Sequence, residues 1–267
     1  MKYSLVNGER REAEKGLSGV CIGCEQPMVP KCGPVKVRHW AHKSNCKCDH
    51  WWENETEWHR NWKNHFPAEF QEVRLRAENA EWHFADVKTA QGWVLEFQNS
   101  PISDEERDAR NTFYRTIVWV VNGSRLKRDR DRFFKTIENG NKIGDNPQVI
   151  KIFFSESSLV EKWSKSKAPV FFDFGDESLL WCLYPTNSNQ WGFVSPIKKV
   201  DFISFHQGEE NQLKGFLEFL QVFNNLILSY FFQIQRQRQI DLQRQILMRP
   251  QSNFQRYLAR QRSRRRL

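Results

Sequence analysis

The sequence has no long uninterrupted apolar run, little cysteine beyond its first fifth, and almost no acid near its C-terminus. Its opening, M-K-Y-S-L-V-N-G-E-R, lacks the apolar stretch of a secretory leader. The most apolar stretch, Phe216 to Phe232, carries Glu218, Gln221, Asn224 and Asn225, which argues against a membrane span. These two absences predict a cytoplasmic protein with no membrane partner. Five of the six cysteines (21, 24, 32, 46 and 48) crowd together and only Cys182 lies beyond them. Without a leader, such crowding reads as metal binding before disulfides. The acid shortage is local. From Gln233 onward there are ten Arg and one Asp, a net +9 that equals the charge of the whole chain, so the preceding body is neutral. A cationic tail on a neutral body predicts a polyanionic partner, first of all nucleic acid.

What is present begins with Cys21-Ile22-Gly23-Cys24, a CxxC knuckle able to grip one zinc ion. His39 and His42 follow in R-H-W-A-H-K, then Cys46-Lys47-Cys48, with Pro27, Pro30, Gly33 and Pro34 breaking the intervening chain into turns. Zinc needs four ligands and seven candidates exist: Cys21, Cys24, Cys32, His39, His42, Cys46 and Cys48. Cys21 and Cys24 form the first pair; for the second, His39 and Cys48 are taken over His42 and Cys46. The alternative is a loop-rich segment of reduced thiols with packed histidines. Either way, residues 1–50 are too short to fold on a hydrophobic core alone, which favours a structural metal.

Residues 53 to 67, ending in Pro67, predict a helix whose Trp58, Trp62 and Phe66 form an apolar stripe. Glu55, His59 and Lys63 form a second stripe beside it, either a solvated ion-paired face or a polar overhang above the elements that follow. Glu69 to Arg76 reads as a strand, with helix as the alternative. His83 to Gln98 reads as a hairpin turning at Gln91-Gly92, with Asp86 on its first strand and Glu96 and Gln98 on one face of its second. Carboxylates among aromatic and aliphatic neighbours are costly to bury, and a hard cation is their natural partner. Strict alternation turns His83 away from the face of residues 84 and 86. Ser103 or Asp104 caps a helix to Arg115, on which Arg110 and Tyr114 share a face, either to contact substrate or to pack and pair with acids such as Glu106. Ile117 to Val121 is a strand buried on both faces.

The order α-β-β-β-α-β predicts a mixed sheet covered by helices. Together with the polar set it resembles the PD-(D/E)xK, restriction-endonuclease-like nuclease superfamily, and more narrowly the competence protein CoiA-like nuclease family. The motifs are Cys21 and Cys24; His39-Trp40-Ala41-His42; Glu55-Thr56 with His59 and Lys63; His83-Phe84-Ala85-Asp86; Glu96-Phe97-Gln98 with Ser100; and Arg110 with Tyr114. They span roughly residues 20 to 122 and leave the last third unmatched. Gln98 stands where most of the superfamily carries Lys. The resemblance implies a metal-dependent deoxyribonuclease in DNA uptake, recombination or defence against foreign DNA. Glu55, Asp86 and Glu96 would bind catalytic Mg²⁺ or Mn²⁺, Gln98 and His59 would serve the chemistry, and Lys63, His83, Arg110 and Tyr114 would contact substrate. The alternative is a DNA-binding accessory protein with a degenerate nuclease fold.

The expected architecture is therefore α/β (α+β) in four parts. A zinc-ribbon-like module (1–50) precedes the nuclease-like core (51–140), a small antiparallel β region (141–210) beginning in a loop at 141–149, and an amphipathic helix with an Arg-rich tail (211–267). Residues 212–232 offer a face for the core, for a protein partner or for self-association.

Overall fold

The structure, a computed structural model, describes residues 1–44, 48–51, 53, 55–77, 81–248, 257, 260 and 261. It is a mixed α/β protein with two sheets and six helices among the described residues, in two compact units, Met1–Phe223 and Asn224–Leu267.

The first sheet contains β1 (Tyr3–Val6), β2 (Glu9–Glu12), β3 (Gly19–Val20), β4 (Pro27–Lys31) and β5 (His39–His42), in the order β2-β1-β3-β4-β5. Sequence reading missed these strands: all are short, and the exposed E-R-R-E of β2 carries no alternation. One local signal was there. Asn7-Gly8 joins β1 to β2 in a two-residue turn with φ of 52° and 85°, the left-handed geometry for which Asn-Gly is suited. Met1, Val6, Ala13, Cys21, Met28 and Trp40 form a small core for this sheet.

The second sheet has nine strands in the order β10-β11-β14-β13-β12-β9-β8-β7-β6. Its first part comprises helix α1 (Glu57–Lys63), β6 (Gln71–Arg76), β7 (Trp82–Lys88), β8 (Val94–Gln98), helix α2 (Asp104–Tyr114) and β9 (Ile117–Asn122). Strands β6, β7 and β8 run antiparallel, and α2 carries the chain across so that β9 lies parallel to β8. Helix α1 starts at Glu57, later than the sequence suggested, because the Thr56 side chain caps it by accepting from the His59 N–H. Ser103 does the same for α2, and Asp104, Glu105 and Glu106 complement the dipole.

Helix α3 (Lys127–Asn139) buries Phe133 completely. Residues 141–149 are not a loop. They form the hairpin of β10 (Asn141–Asp145) and the start of β11 (Gln148–Phe153), because the backbone of this polar stretch is satisfied by antiparallel pairing. After helix α4 (Ser158–Trp163), strands β12 (Val170–Asp173), β13 (Leu179–Tyr184) and β14 (Trp191–Lys198) complete the sheet. β12 pairs parallel to β9, so the C-terminal strands extend the same sheet and make no separate module. Helix α5 (Lys199–Phe205) precedes α6 (Glu210–Met248), which is longer than residues 212–232. Among the described residues no helix is long and apolar enough to cross a membrane.

Candidate functional site

The metal-binding candidate is a four-residue cluster. The CxxC turn follows β3 and is closed by Cys21 N–H donating to the Gln26 carbonyl and Glu25 N–H donating to the Cys21 carbonyl. Gly23 sits so close to β7 that a Cβ there would lie 2.7 Å from the Phe84 ring. Cys21 Sγ and Cys48 Sγ are 3.7 Å apart, and His42 Nε2 lies 3.3 Å from Cys24 Sγ and 3.6 Å from Cys48 Sγ. All four ligand atoms lie within 4.8 Å of one another. Bonds of about 2.3 Å to sulfur and 2.0 Å to nitrogen place tetrahedral zinc ligands roughly 3.5–3.8 Å apart, so the donor set fits. The Cys21 thiol is held well below the ordinary range, first by its hydrogen bond with Cys48 and further by backbone N–H groups. Cys21, Cys24, His42 and Cys48 can therefore hold a structural metal such as zinc.

His39 is not in this set, which corrects the sequence reading. Residues 39 and 42 are three apart on β5 and take opposite faces; His39 Nδ1 instead bonds the Val37 carbonyl at 2.8 Å. Cys32 Sγ donates to the Ala13 carbonyl, Cys182 is buried in β13, and Cys46 lies outside the described residues.

Beside this cluster is a cavity of about 590 Å³, with Trp40, His42 and Cys48 in one wall and residues of the segment before α1 and of α1, β6, β7, β8 and α2 around it. Six carboxylates line it (Asp49, Glu53, Glu55, Glu72, Asp86 and Glu96) against the side chains of Lys63 and Arg110. Its centre is a break in the sheet. Main-chain pairing of β7 with β8 is registered at Lys88↔Val94 and Val87↔Leu95. Just beyond, side chains take over: the Asp86 N–H donates to Glu96 Oε1 at 3.3 Å, and the Phe97 N–H donates to Asp86 Oδ2 at 3.0 Å. The two acids are thus held together by the backbone donors the sheet would otherwise have used. Burial and then the nearby Asp86 raise Glu96 to about 8, although Arg110 pairs with its Oε2 at 2.8 Å and pulls the other way.

Lys63 supplies the main compensating charge. Its buried Nζ donates to Glu55 Oε2 and to Glu72 Oε1, each at 2.9 Å, and lies 3.9 Å from Asp86 Oδ1. Burial would weaken its charge, but Glu72, Glu55 and Asp86 together hold its ammonium above the usual lysine range. Burial is the largest influence on the two glutamates and would raise them. Lys63 and the Met1 ammonium, joined by Arg60 at Glu55 and by the Lys2 N–H at Glu72, together outweigh it, lowering Glu55 and bringing Glu72 down to about 2. Glu72 lies between the Gln71↔Val87 and Val73↔Ala85 pairs, opposite Asp86, with a φ of 46° that is uncommon for a non-glycine residue. It also accepts the backbone N–H groups of Lys2 and Tyr3, tying the first sheet to the site.

Gln98 has both amide hydrogens engaged, one on Glu53 Oε1 and one on the Ser100 carbonyl at 3.0 Å. Among the described residues its Oε1 is left to accept a hydrogen bond from water. Glu53 Oε2 lies 3.5 Å from His59 Nε2, and His59 Nδ1 is 2.9 Å from Thr56 Oγ1. Gln98, Glu53 and His59 therefore form one line of polar contacts along the cavity wall, with Thr56 behind His59.

Of the residues singled out from sequence, Glu55, His59, Lys63, Asp86, Glu96, Gln98 and Arg110 meet at this cavity. His83 and Tyr114 do not line it. His83 is buried, stacked on Trp51 at 3.5 Å and bonded to Asp49 at 3.1 Å. Tyr114 is buried against Trp51 and Phe113, and burial raises its hydroxyl well above the usual range. Asp49, Glu53 and Glu72 were missed because none shares a motif or a regular spacing with the other acids, and only the folded chain brings them together.

No family model, curated protein or solved structure matches the chain.

Proposed function

We propose that this protein is a divalent-metal-dependent nuclease that hydrolyses DNA phosphodiester bonds. The observation that carries this reading is the coupled pair Asp86 and Glu96, two carboxylates locked side by side in a cavity far richer in acids than in cations. Such a site repels a polyanion unless divalent cations accompany it, and the oxygen donors present suit Mg²⁺ or Mn²⁺. Asp86 and Glu96 would hold the ion, with Glu55 nearby. When bound, the ion supplies charge stabilisation at phosphorus and an acidified water.

The chain's own groups account for the other requirements. Gln98 Oε1 orients the attacking water by accepting one of its hydrogens. The Glu53–His59 pair offers a place for the proton. Lys63, beside Asp86, brings the positive charge that a lysine at position 98 would have provided. The order α1-β6-β7-β8-α2-β9, with three antiparallel strands and a parallel fourth, supports the restriction-endonuclease-like reading of the core. The cluster of Cys21, Cys24, His42 and Cys48 supports a zinc module next to it.

One observation favours a second reading, a DNA-binding protein without catalysis: Gln98 is neutral, and its two donors are consumed within the fold. A single experiment separates the two. Purified protein is incubated with single- and double-stranded DNA in Mg²⁺ or Mn²⁺, beside Asp86→Ala and Glu96→Gln variants checked for folding by circular dichroism. A nuclease loses about 100-fold or more of its activity in either variant, the scale expected when a group serving the reacting centre is removed. Wild type no faster than Asp86→Ala on every substrate and metal would establish the non-catalytic reading.

A further inference from the structure

A second, much smaller crevice adjoins the cavity, and Gln98 lines both. It lies at the C-terminal ends of the parallel strands β8 and β9, bordered by Asn99, Ser100, Asn122, Arg125 and Lys162. In open α/β sheets the ends of parallel strands are where ligands bind. Its charge is opposite to that of the cavity: Arg125 and Lys162 stand against one carboxylate, the buried Asp129. Among the described residues neither Arg125 nor the Lys162 ammonium has a hydrogen-bond or ion-pair partner, whereas Lys63, Arg107 and Arg110 are all paired. Burial, and then the proximity of Arg125, lower the Lys162 ammonium from its usual value. Both side chains are exposed at the edge of the crevice, where two cations without a fixed partner attract an anion.

The dimensions of the cavity say which nucleic acid would provide it. At about 590 Å³ the cavity is of small-ligand size, and the Asp86 side chain is 24% exposed while those of Glu55, Glu72 and Glu96 are 6% or less. A flexible unpaired strand bends a phosphodiester toward acids recessed this far at less cost than the stiff backbone of an intact duplex, and enzymes whose target is recessed take unpaired strands or extrude a nucleotide. Resting on the nuclease reading above, the geometry points to an unpaired strand as the substrate, with a backbone phosphate next to the reacting one held by Arg125 and Lys162. The strand passes from the acidic cavity over Gln98 into this basic crevice.

The test is fluorescence anisotropy of a labelled single-stranded oligonucleotide and its duplex without added divalent salt, over a range of NaCl concentrations. It uses the full chain, the double variant Arg125→Gln/Lys162→Gln, and Lys142→Gln as a control for general loss of charge. The double variant is expected to bind the single strand about tenfold more weakly at 0.1 M salt. Its salt slope should be shallower by about 1.4, from roughly 0.7 per cation released by a single strand. Lys142→Gln should change neither by as much. With Mn²⁺ present, the double variant should raise KM for single strands and leave kcat nearly unchanged. An unchanged slope in the double variant overturns the subsite even if the protein cuts DNA. Duplex bound and cut as well as single strand overturns the choice of substrate. Strand binding that depends on Arg125 and Lys162 with no cleavage by wild type leaves the subsite standing and removes the nuclease reading.

Discussion

Lys63 is buried within reach of three acids, and its loss would strand a buried one of them, Glu72. Lys63→Met leaves Glu72 without its ion-pair partner and Glu55 with Arg60 as its remaining one among the described residues, and breaking a buried pair costs about 3–5 kcal/mol. Urea denaturation is expected to show that loss, and Lys63→Met/Glu72→Gln should recover part of it; a fully additive double variant would contradict the coupling. The metal cluster makes an equally sharp claim. Zinc content should fall in His42→Gln and stay at the wild-type level in His39→Gln, as measured by metal analysis of purified protein. The thiols of this cluster were legible as a CxxC followed by a later cysteine. The histidine was not, because choosing between 39 and 42 requires knowing which face of β5 looks at the knuckle. Asp86 and Glu96 were noticeable as acids in apolar strands. Glu72 became visible only when strand pairing placed it opposite Asp86.

At the scale of elements, His206 shows how the turn between α5 and α6 responds to acid. It is buried, Nδ1 bonds the Phe202 carbonyl at 2.8 Å, and Nε2 lacks a partner among the described residues, so the ring is held neutral and its pKa is lowered to about 4 by burial. A histidine whose folded pKa lies below its unfolded value of about 6.5 stabilises fully above that value. That contribution is lost as pH falls from about 6.5 toward 4. By this linkage, wild type should lose about 2.5 kcal/mol at pH 4.5 relative to pH 7 through this one residue. His206→Gln should flatten that part of the stability profile measured by chemical denaturation; an unchanged profile would show that the ring titrates freely. Elements with strong patterning, such as β7, β8, α2 and β9, were readable, since long apolar runs and caps announce them. β1 to β5 and β10 were not. Each is short and most are polar or half-exposed, and they are strands because neighbouring chain pairs with them.

Over the whole molecule, the contrast is between a neutral body and a cationic end. Arg236, Arg238 and Arg244 lie exposed on α6, and seven more Arg follow in the last nineteen residues. Removing residues 233–267 should therefore weaken DNA binding most at low salt and reduce the steepness of its salt dependence. Equal affinity and slope with and without the tail would exclude it from DNA binding. Composition foretold this charge division. It could not foretell that the strands after residue 148 join the same sheet as the candidate site, since a small antiparallel set with its own turns reads the same whether it stands alone or leans on β9.

That union bears on how the chain can be shortened. β9, buried on both faces and flanked by β8 and β12, has no solvent-adapted side. A fragment ending near residue 140 would retain every residue of the candidate active site, yet would present I-V-W-V-V as a naked rim of unpaired backbone donors and acceptors. Such a rim recruits other chains into intermolecular sheets. Insolubility or inactivity of that fragment would then report self-association, and would carry no information about the chemistry of Asp86 and Glu96.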